Sequence, residues 1–156
     1  MIGFSAFWIL TIQQYGMKWV GYPAALVAIN DTMAYFFGVL FGKHPLLAKI
    51  SPKKTWEGFI GAALSTMGLS VPLWGLFFGT TPVHAQHVIG LAVYVSLAAP
   101  FGGFLASIVK RTYGQKDFGS LIPGHGGLVD RLDCQLMVAP FVYLGLQHFG
   151  TATAPS

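Results

Sequence analysis

The chain has 156 residues, of which 54% are hydrophobic and 9% are charged, and its mean hydropathy is +0.61. Soluble domains usually contain about 25% charged residues, so this composition excludes an ordinary soluble domain and indicates an integral membrane protein. The single cysteine excludes an internal disulfide framework. The net charge of +4 lies in loops between apolar runs, where membrane topology explains it, and we expect no nucleic-acid partner.

Five apolar runs follow one another along the chain and predict five membrane segments. They cover about residues 2–14, 19–42, 56–79, 88–109 and 128–149. The last four approach the roughly 20 residues that a helix needs to cross a bilayer, whereas the first is short for a span. The predicted fold is therefore all-α, a polytopic helical bundle of about five transmembrane segments. It forms a single domain, residues 1–150, followed by a disordered tail, residues 151–156.

The basic residues predict how these segments are oriented. Eight of the nine Lys and Arg residues lie at segment ends that share one side of the membrane, and only Lys18 lies opposite. The positive-inside rule makes the basic side cytoplasmic. The loop between the third and fourth segments, residues 80–87, contains no Lys or Arg, as an outside loop should.

Three of the five acidic residues lie within residues 116–134, KDFGSLIPGHGGLVDRLDC. Asp130 and Asp133 are three positions apart, so on a helix they share a face. Two carboxylates this close repel each other unless a cation lies between them, and Mg²⁺ prefers one or two carboxylates together with water and phosphate oxygens. The pair therefore predicts a magnesium site. The alternative is a pair at the membrane surface that is solvated by water or paired with Arg131.

A glycine-rich loop, residues 123–127, comes directly before these acids. Glycines allow backbone N–H groups to converge on an anion, and Lys110, Arg111 and Lys116 add positive charge nearby. Carboxylates for a metal, with amides and cations for phosphate, are the groups that phosphoryl or nucleotidyl transfer requires. His125 fits either an acid or a phosphate donor in such a reaction, or a hydrogen bond within the loop.

Two further polar groups lie in or beside the apolar runs. Asn30 and Asp31 fall inside the second segment, where a carboxylate is costly and usually faces a cavity or a partner. A structural polar contact between helices is the alternative. Lys53 and Lys54 lie in the loop before the third segment, where they fit either a substrate phosphate or anionic lipid headgroups.

Together these residues resemble the signature of the phosphatidate cytidylyltransferases, also called CDP-diacylglycerol synthases. The pattern S-x-x-K-R-x4-K-D-x7-H-G-G-x-x-D-R-x-D is met by Ser107, Lys110, Arg111, Lys116, Asp117, His125, Gly126, Gly127, Asp130, Arg131 and Asp133. The stretches NDTMAYFFGVLFGKHPL and SPKKTWEGFIGA resemble the eukaryotic-type members of that family. The similar region extends from Asn30 to about Cys134.

The resemblance implies a reaction and a set of roles. CTP and phosphatidic acid would give CDP-diacylglycerol and pyrophosphate, with Mg²⁺ required, by attack of the lipid phosphate on the α-phosphorus of CTP. Asp130 and Asp133 would be the metal ligands. The residues implied in catalysis are Lys110, Arg111, Lys116, Asp117, His125 and Arg131, and those implied in substrate binding are Asn30, Asp31, Lys53, Lys54, Ser107, Gly126 and Gly127.

Two departures from the family pattern carry consequences. Bacterial-type members have an acidic residue four positions before the signature serine, where this chain has Gly103, so the metal shell must be completed differently. Members of the family also have more membrane spans upstream, so we expect a fragment, a truncated gene model or a reduced form. In a eukaryote the resemblance implies a multi-pass protein of the endoplasmic reticulum membrane with its active site facing the cytoplasm, and it leaves a homodimer open.

The sequence alone leaves other functions open. They are a CTP-dependent lipid kinase, a cation transporter subunit that uses Asp31, Asp130 and Asp133, and an inactive fragment. A CDP-alcohol phosphotransferase is disfavoured because its D-G-x-x-A-R start is absent. A transport path should carry polar groups through the full depth of the bilayer, whereas the polar residues here crowd one face.

Overall fold

The structure is a computed structural model that describes residues 2–47, 51–79, 85–112 and 129–149. Within these ranges the chain forms five helices and one short hairpin. The helices are α1 (Ile2–Tyr15), α2 (Lys18–Phe41), α3 (Trp56–Phe78), α4 (Ala85–Thr112) and α5 (Val129–Phe149). The five predicted segments are therefore confirmed as helices, with ends within three residues of the predicted ones. The predicted tail, residues 151–156, lies outside the described residues.

Three of the helices are long and apolar enough to cross a membrane: Lys18–Phe41, Trp56–Phe78 and Gln86–Val109. Helix α5 has 21 residues and includes the apolar stretch Cys134–Gln147, whereas α1 has only 14 residues. Only α1 is clearly shorter than the roughly 20 residues of a full span. The described residues thus form an all-α polytopic bundle in which three helices are long and apolar enough to be full spans.

Two strands join α2 to α3 where the sequence predicts only a loop. Strands β1 (Pro45–Leu47) and β2 (Ser51–Thr55) pair antiparallel, with Pro45 opposite Thr55 and Leu47 opposite Ser51. Strands of three and five residues are too short to show an alternating pattern, and prolines and lysines are poor strand formers. The hairpin matters for function because it holds Lys54 at the beginning of α3.

Two glycines make the tight turns at the other end of the bundle. Gly16 has a φ of +90° between α1 and α2, and Gly79 has a φ of +66° at the end of α3. Residues that have a side chain rarely adopt this left-handed backbone conformation, whereas glycine does so without steric cost. The turn at Gly16 lets α1 fold back, and α1 packs mainly against α5.

Helices α2 and α3 make the most extensive contact in the bundle. A Cβ placed on Gly58 would lie 2.6 Å from the backbone oxygen of Ala34, so the two backbones touch at this point. Lipid tails are as apolar as leucine, so helices in a bilayer associate through such close packing and through hydrogen bonds. The sequence places a glycine where α3 needs to come closest to α2.

Buried hydrogen bonds add to this contact. Thr66 Oγ1 of α3 donates to Asn30 Oδ1 of α2 at 3.3 Å, and Tyr22 Oη donates to the carbonyl oxygen of Ser70 at 3.0 Å. Asn30, Thr66 and Tyr22 are all buried. Each bond satisfies polar groups that would otherwise be costly in an apolar interior.

The remaining core is apolar and joins α2 to α4 and α5. Its fully buried side chains include Leu26, Val95 and Val138. Toward the beginning of α2 and the end of α3 the packing becomes aromatic, with Trp74 stacked on Phe78 at 4.1 Å between ring centroids. The charged and polar groups discussed below lie at the opposite end of these two helices.

The contact at Gly58 yields a matched pair of substitutions. Gly58→Ala should destabilise the bundle by about 1–3 kcal/mol, the usual cost of overpacking, because the new methyl group meets backbone rather than a movable side chain. Gly68→Ala in the same helix has nothing within 4 Å and should be neutral or stabilising. Thermal unfolding of the detergent-solubilised chain measures both. Equal melting temperatures for the two variants would contradict the close contact.

Candidate active site

A cavity of about 560 Å³ lies at the end of the bundle where α2 and α4 finish and α3 and α5 begin. Helices α2 to α5 and both strands contribute to its walls. Its polar lining includes Asn30, Asp31, Lys54, Thr55, Ser107 and Gln135. The cavity therefore brings together four of the residues predicted to bind substrate, which are separated by as many as 77 positions in the sequence.

Lys54 reaches the cavity from β2. Its Nζ lies 4.4 Å from the centroid of the Phe104 ring, close enough for a cation–π interaction. A Cβ placed on Gly103 would lie 2.8 Å from the same Nζ, so the ammonium occupies space that any side chain at 103 would need. The sequence gives Lys53 and Lys54 equal weight, but the structure places Lys54 in the cavity wall. The side chain of Lys53 lies outside the described part.

The junction between β2 and α3 is tied down by several hydrogen bonds. Thr55 Oγ1 accepts from the backbone N–H of Gly58 at 3.2 Å and so caps α3. The backbone N–H of Trp56 donates to the carbonyl oxygen of His44 at 3.0 Å. His44 also forms an ion pair with Glu57, with 2.6 Å between Nδ1 and Oε1. Lys54 therefore extends from a backbone that is held on both sides.

The sequence alone indicates no role for His44, Gly103 or Phe104 in positioning Lys54. The spacing of His44 and Glu57, thirteen residues apart, matches no local motif, because the hairpin brings them together. The Lys54–Phe104 contact joins residues fifty positions apart. Only Gly103 left a signal, since it stands where bacterial-type relatives carry an acid.

Asn30 and Asp31 are neighbours in sequence but differ in environment. Asn30 is 1% exposed and accepts the hydrogen bond from Thr66, so its amide supports the contact between α2 and α3 while it borders the cavity. Asp31 is exposed at the cavity wall, within a helix long enough to span the membrane. Asn30 therefore makes a structural polar contact between helices, and both Asn30 and Asp31 border the cavity.

Ser107 lines the cavity from α4. Its Oγ donates to the carbonyl oxygen of Gly103 at 2.7 Å, a common bond of serines inside helices. In this rotamer the hydroxyl proton is engaged and the oxygen lone pairs remain to accept. The side chain is thereby suited to a cation or an N–H donor, and it must rotate to donate to a phosphate oxygen.

Five of the charged signature residues belong to the two helix ends beside this cavity. Lys110 and Arg111 belong to the last turn of α4, three and four positions after Ser107. Asp130, Arg131 and Asp133 belong to the first turns of α5. Asp130 lies one turn before Cys134, which lines the cavity, so helix geometry puts it on the face of α5 that contains Cys134. These five side chains lie outside the described part of the structure.

Five more of the predicted site residues lie outside the described residues: Lys116, Asp117, His125, Gly126 and Gly127. Among the residues that are described, no group of three or more His, Cys, Asp or Glu side chains is arranged to hold a metal ion. The predicted magnesium ligands, Asp130 and Asp133, therefore remain a prediction that rests on their spacing in α5.

Comparison with known proteins identifies the family. The model of the cytidylyltransferase family matches residues 1–149. The chain belongs to the cytidylyltransferase family. This match confirms the resemblance carried by the signature and extends it beyond residues 30–134, so that α1 and the first half of α2 also belong to the family pattern.

Curated relatives of this family member are named phosphatidate cytidylyltransferases. Phosphatidate cytidylyltransferase 3 of Arabidopsis thaliana is 40% identical over 190 aligned positions, which cover 93% of this chain and 40% of the relative. The Caenorhabditis elegans phosphatidate cytidylyltransferase is 37% identical, covering 93% and 41%. Human phosphatidate cytidylyltransferase 2 is 36% identical, covering 90% and 42%.

The chain is shorter than the relatives it matches, since it spans about 40% of the length of these curated relatives. The Arabidopsis alignment extends over 190 positions, more than the 156 residues of this chain, so that relative also contains residues with no counterpart here inside the matched region. The sequence similarity nevertheless includes the walls of the cavity, because the family match runs from α1 to α5.

The cap of α3 can be tested with two substitutions of Thr55. Thr55→Val removes the oxygen that accepts from Gly58 and should destabilise the protein by about 1 kcal/mol, as for other lost N-caps. Thr55→Ser keeps the oxygen and should stay close to the original stability. Thermal unfolding and amide hydrogen exchange in the first turn of α3 report the difference. Slow exchange of Gly58 in the valine variant would show that the cap does not hold this turn.

Proposed function

We propose that this chain contains the site at which CMP is transferred from CTP to phosphatidic acid, giving CDP-diacylglycerol and pyrophosphate. The names of its relatives and its family membership support this reaction. The observation that carries the proposal is the cavity, whose lining includes Asp31, Lys54 and Ser107 and which lies beside the end of α4 and the start of α5. Those two helix ends contain five of the charged residues of the signature.

The chemistry asks the protein mainly to position two anions and to offset their charge. A phosphate oxygen of the lipid attacks the α-phosphorus of CTP, the bond to the β-phosphate oxygen breaks, and pyrophosphate leaves with the electron pair. Lys110 and Arg111 lie at the end of α4, where cations can hold the triphosphate. Lys54 provides further positive charge beside Gly103 and Phe104, earlier along the same helix, so the two phosphate groups can approach each other despite their repulsion.

Mg²⁺ fits the donor set at the start of α5. Asp130 and Asp133 are carboxylates on one helical face, and we propose that they hold the ion. A bound Mg²⁺ would neutralise phosphate charge and polarise the reacting phosphoryl group. Ser107, which also lines the cavity, keeps its oxygen lone pairs able to accept in the observed rotamer.

The walls of the cavity suit a lipid substrate as well as a nucleotide. Beside the polar groups, the lining includes Val27, Phe59 and Pro100. Since most basic residues share this end of the bundle, we place the site at the cytoplasmic membrane surface and, in a eukaryote, at the endoplasmic reticulum.

The alternatives raised by the sequence have less support. In the described part of the chain, the end of α2 and α3 opposite the cavity is packed with Trp19, Tyr22, Trp74, Phe77 and Phe78. A cation path would need polar groups through that region. A lipid kinase would also use CTP but would transfer the terminal phosphate to a lipid alcohol, and membership of the cytidylyltransferase family favours transfer of CMP.

Asp133→Asn tests the proposed metal ligand. The purified chain in detergent would receive CTP, phosphatidic acid and Mg²⁺, and CDP-diacylglycerol would be quantified by mass spectrometry. We expect the substitution to lower turnover on the order of 100-fold or more, because an amide offsets no metal charge. Gln147→Ala, near the far end of the same helix, should leave turnover unchanged. Unaltered turnover in Asp133→Asn would remove the metal role. Transfer of phosphate from CTP to diacylglycerol, offered in place of phosphatidic acid, would favour the lipid kinase.

Metal removal gives a second test of the same site. Chelation of divalent cations should stop formation of CDP-diacylglycerol, and added Mg²⁺ should restore it, because the proposed carboxylate pair binds phosphates only through a cation. Pyrophosphate release is the parallel measurement. Full turnover in the presence of excess chelator would contradict a dissociable magnesium requirement.

A further inference from the structure

We infer that Lys54 binds the phosphate of the lipid substrate, a phosphate monoester, and that the missing side chain at Gly103 gives the Lys54 ammonium its position. The inference deepens the proposed function and rests on it for the identity of the substrate. The basic residues then have different ligands: Lys54 binds the lipid phosphate, whereas the basic end of α4 binds the nucleotide.

The ammonium of Lys54 fills the space beside Gly103. The Nζ of Lys54 lies against the Phe104 ring and 2.8 Å from where a Cβ of residue 103 would stand. The Sγ of Cys134, at the start of α5, lies 3.6 Å from that same point. Strand β2, helix α4 and helix α5 thus meet over a residue that has no side chain. A larger residue at 103 would force the ammonium to move.

The ammonium of Lys54 is available for an anion. Within the described part of the chain, no carboxylate lies within 4.0 Å of Lys54 Nζ, and its one charge-related contact is the Phe104 ring. Lys54 is partly buried in a cavity wall rather than extended into solvent. A charge-assisted hydrogen bond to phosphate would supply the opposite charge that this position lacks among the described side chains.

The hairpin keeps the ammonium in place before any ligand binds. The residue after Lys54 caps α3, and the backbone of Trp56 is bonded to His44 in the preceding connection. A side chain that extends from a fixed backbone and rests on an aromatic ring loses little freedom on binding. This distinguishes Lys54 from a surface lysine that gathers lipid headgroups without a defined geometry.

The surroundings favour a lipid phosphate over a nucleotide phosphate. The cavity wall formed by α2 includes Val27, Asp31 and Tyr35, and Tyr35 is 76% exposed on a helix that can span the membrane. A headgroup that enters beside such a helix face keeps its acyl chains among lipids. Lys110 and Arg111 belong to the last turn of α4, beyond Phe104 in the sequence.

Binding of a short-chain lipid tests the inference without the reaction. Affinity of the full chain in detergent for dioctanoyl phosphatidic acid would be measured without CTP or Mg²⁺, with dioctanoylglycerol as the ligand that lacks phosphate. Lys54→Met should weaken binding of the phosphate lipid roughly ten- to a hundredfold. Lys54→Arg should recover binding relative to Lys54→Met. Lys18→Met, at the exposed beginning of α2, is the matched control and should bind like the original chain.

Substitution at Gly103 separates positioning from folding. Gly103→Ala should keep its melting temperature, because the new methyl group meets the end of a flexible side chain, yet it should weaken binding of dioctanoyl phosphatidic acid. Gly90→Ala in the same helix meets nothing within 4 Å and should change neither property. Unchanged affinity in both Gly103→Ala and Lys54→Met would overturn the inference.

A nucleotide arm identifies which phosphate Lys54 holds. CTP affinity in the presence of Mg²⁺ should be nearly unchanged in Lys54→Met. Loss of CTP binding with intact lipid binding would overturn the assignment to the lipid. Lysine-dependent lipid binding in a chain that makes no CDP-diacylglycerol would count against the proposed reaction while supporting the role of Lys54, so the two proposals fail separately.

Discussion

A charge at the depth of a membrane is costly unless water, an opposite charge or an aromatic face accompanies it. The ammonium of Lys54 meets this constraint by resting on the Phe104 ring in the space above Gly103. Asp31 meets it by lying at the wall of the same cavity. The bundle therefore gathers these polar side chains around one cavity, and its helices must keep that cavity open inside an otherwise apolar interior.

The contact between α2 and α3 is what holds the cavity open on one side. Gly58 allows the backbones of α2 and α3 to touch. Farther along the same interface, the Asn30–Thr66 hydrogen bond fixes how the two helices are aligned. The hairpin then crosses from the end of α2 to the start of α3 and presents Lys54 to α4 and α5. Packing of small residues and placement of the cation are thus consequences of the same helix pair. A change that separates α2 from α3 would displace Lys54 even if the lysine itself were untouched.

Much of this arrangement follows from the sequence, for identifiable reasons. Apolar runs predict all five helices, and four of them approach membrane length because the bilayer sets the length of a spanning helix. The signature residues predict the family, which the comparison confirms over residues 1–149. Asp31 and Lys54, which the resemblance implies in substrate binding, line one cavity.

The contacts that depend on distant parts of the chain were not predictable. Neither the hairpin nor the His44–Glu57 ion pair leaves a periodic signal, because each depends on how the connection between α2 and α3 folds back. The meeting of Lys54, Gly103 and Phe104 depends on how α3 packs beside α4, which spacing along the chain does not encode. Asn30 shows the same limit, since only the packed structure reveals that its amide supports the helix interface.

The central claim is that lipid phosphate and nucleotide enter the cavity between α2 and α5, and the single cysteine offers a direct test. Cys134 lines that cavity and is 8% exposed, so a small thiol reagent can reach it from the space the substrates would fill. The rate of Cys134 modification would be measured by mass spectrometry with and without phosphatidic acid and CTP. The account predicts that the two ligands together slow modification several-fold, while dioctanoylglycerol and free cytidine do not. An unchanged rate at saturating ligand would show that the substrates bind elsewhere.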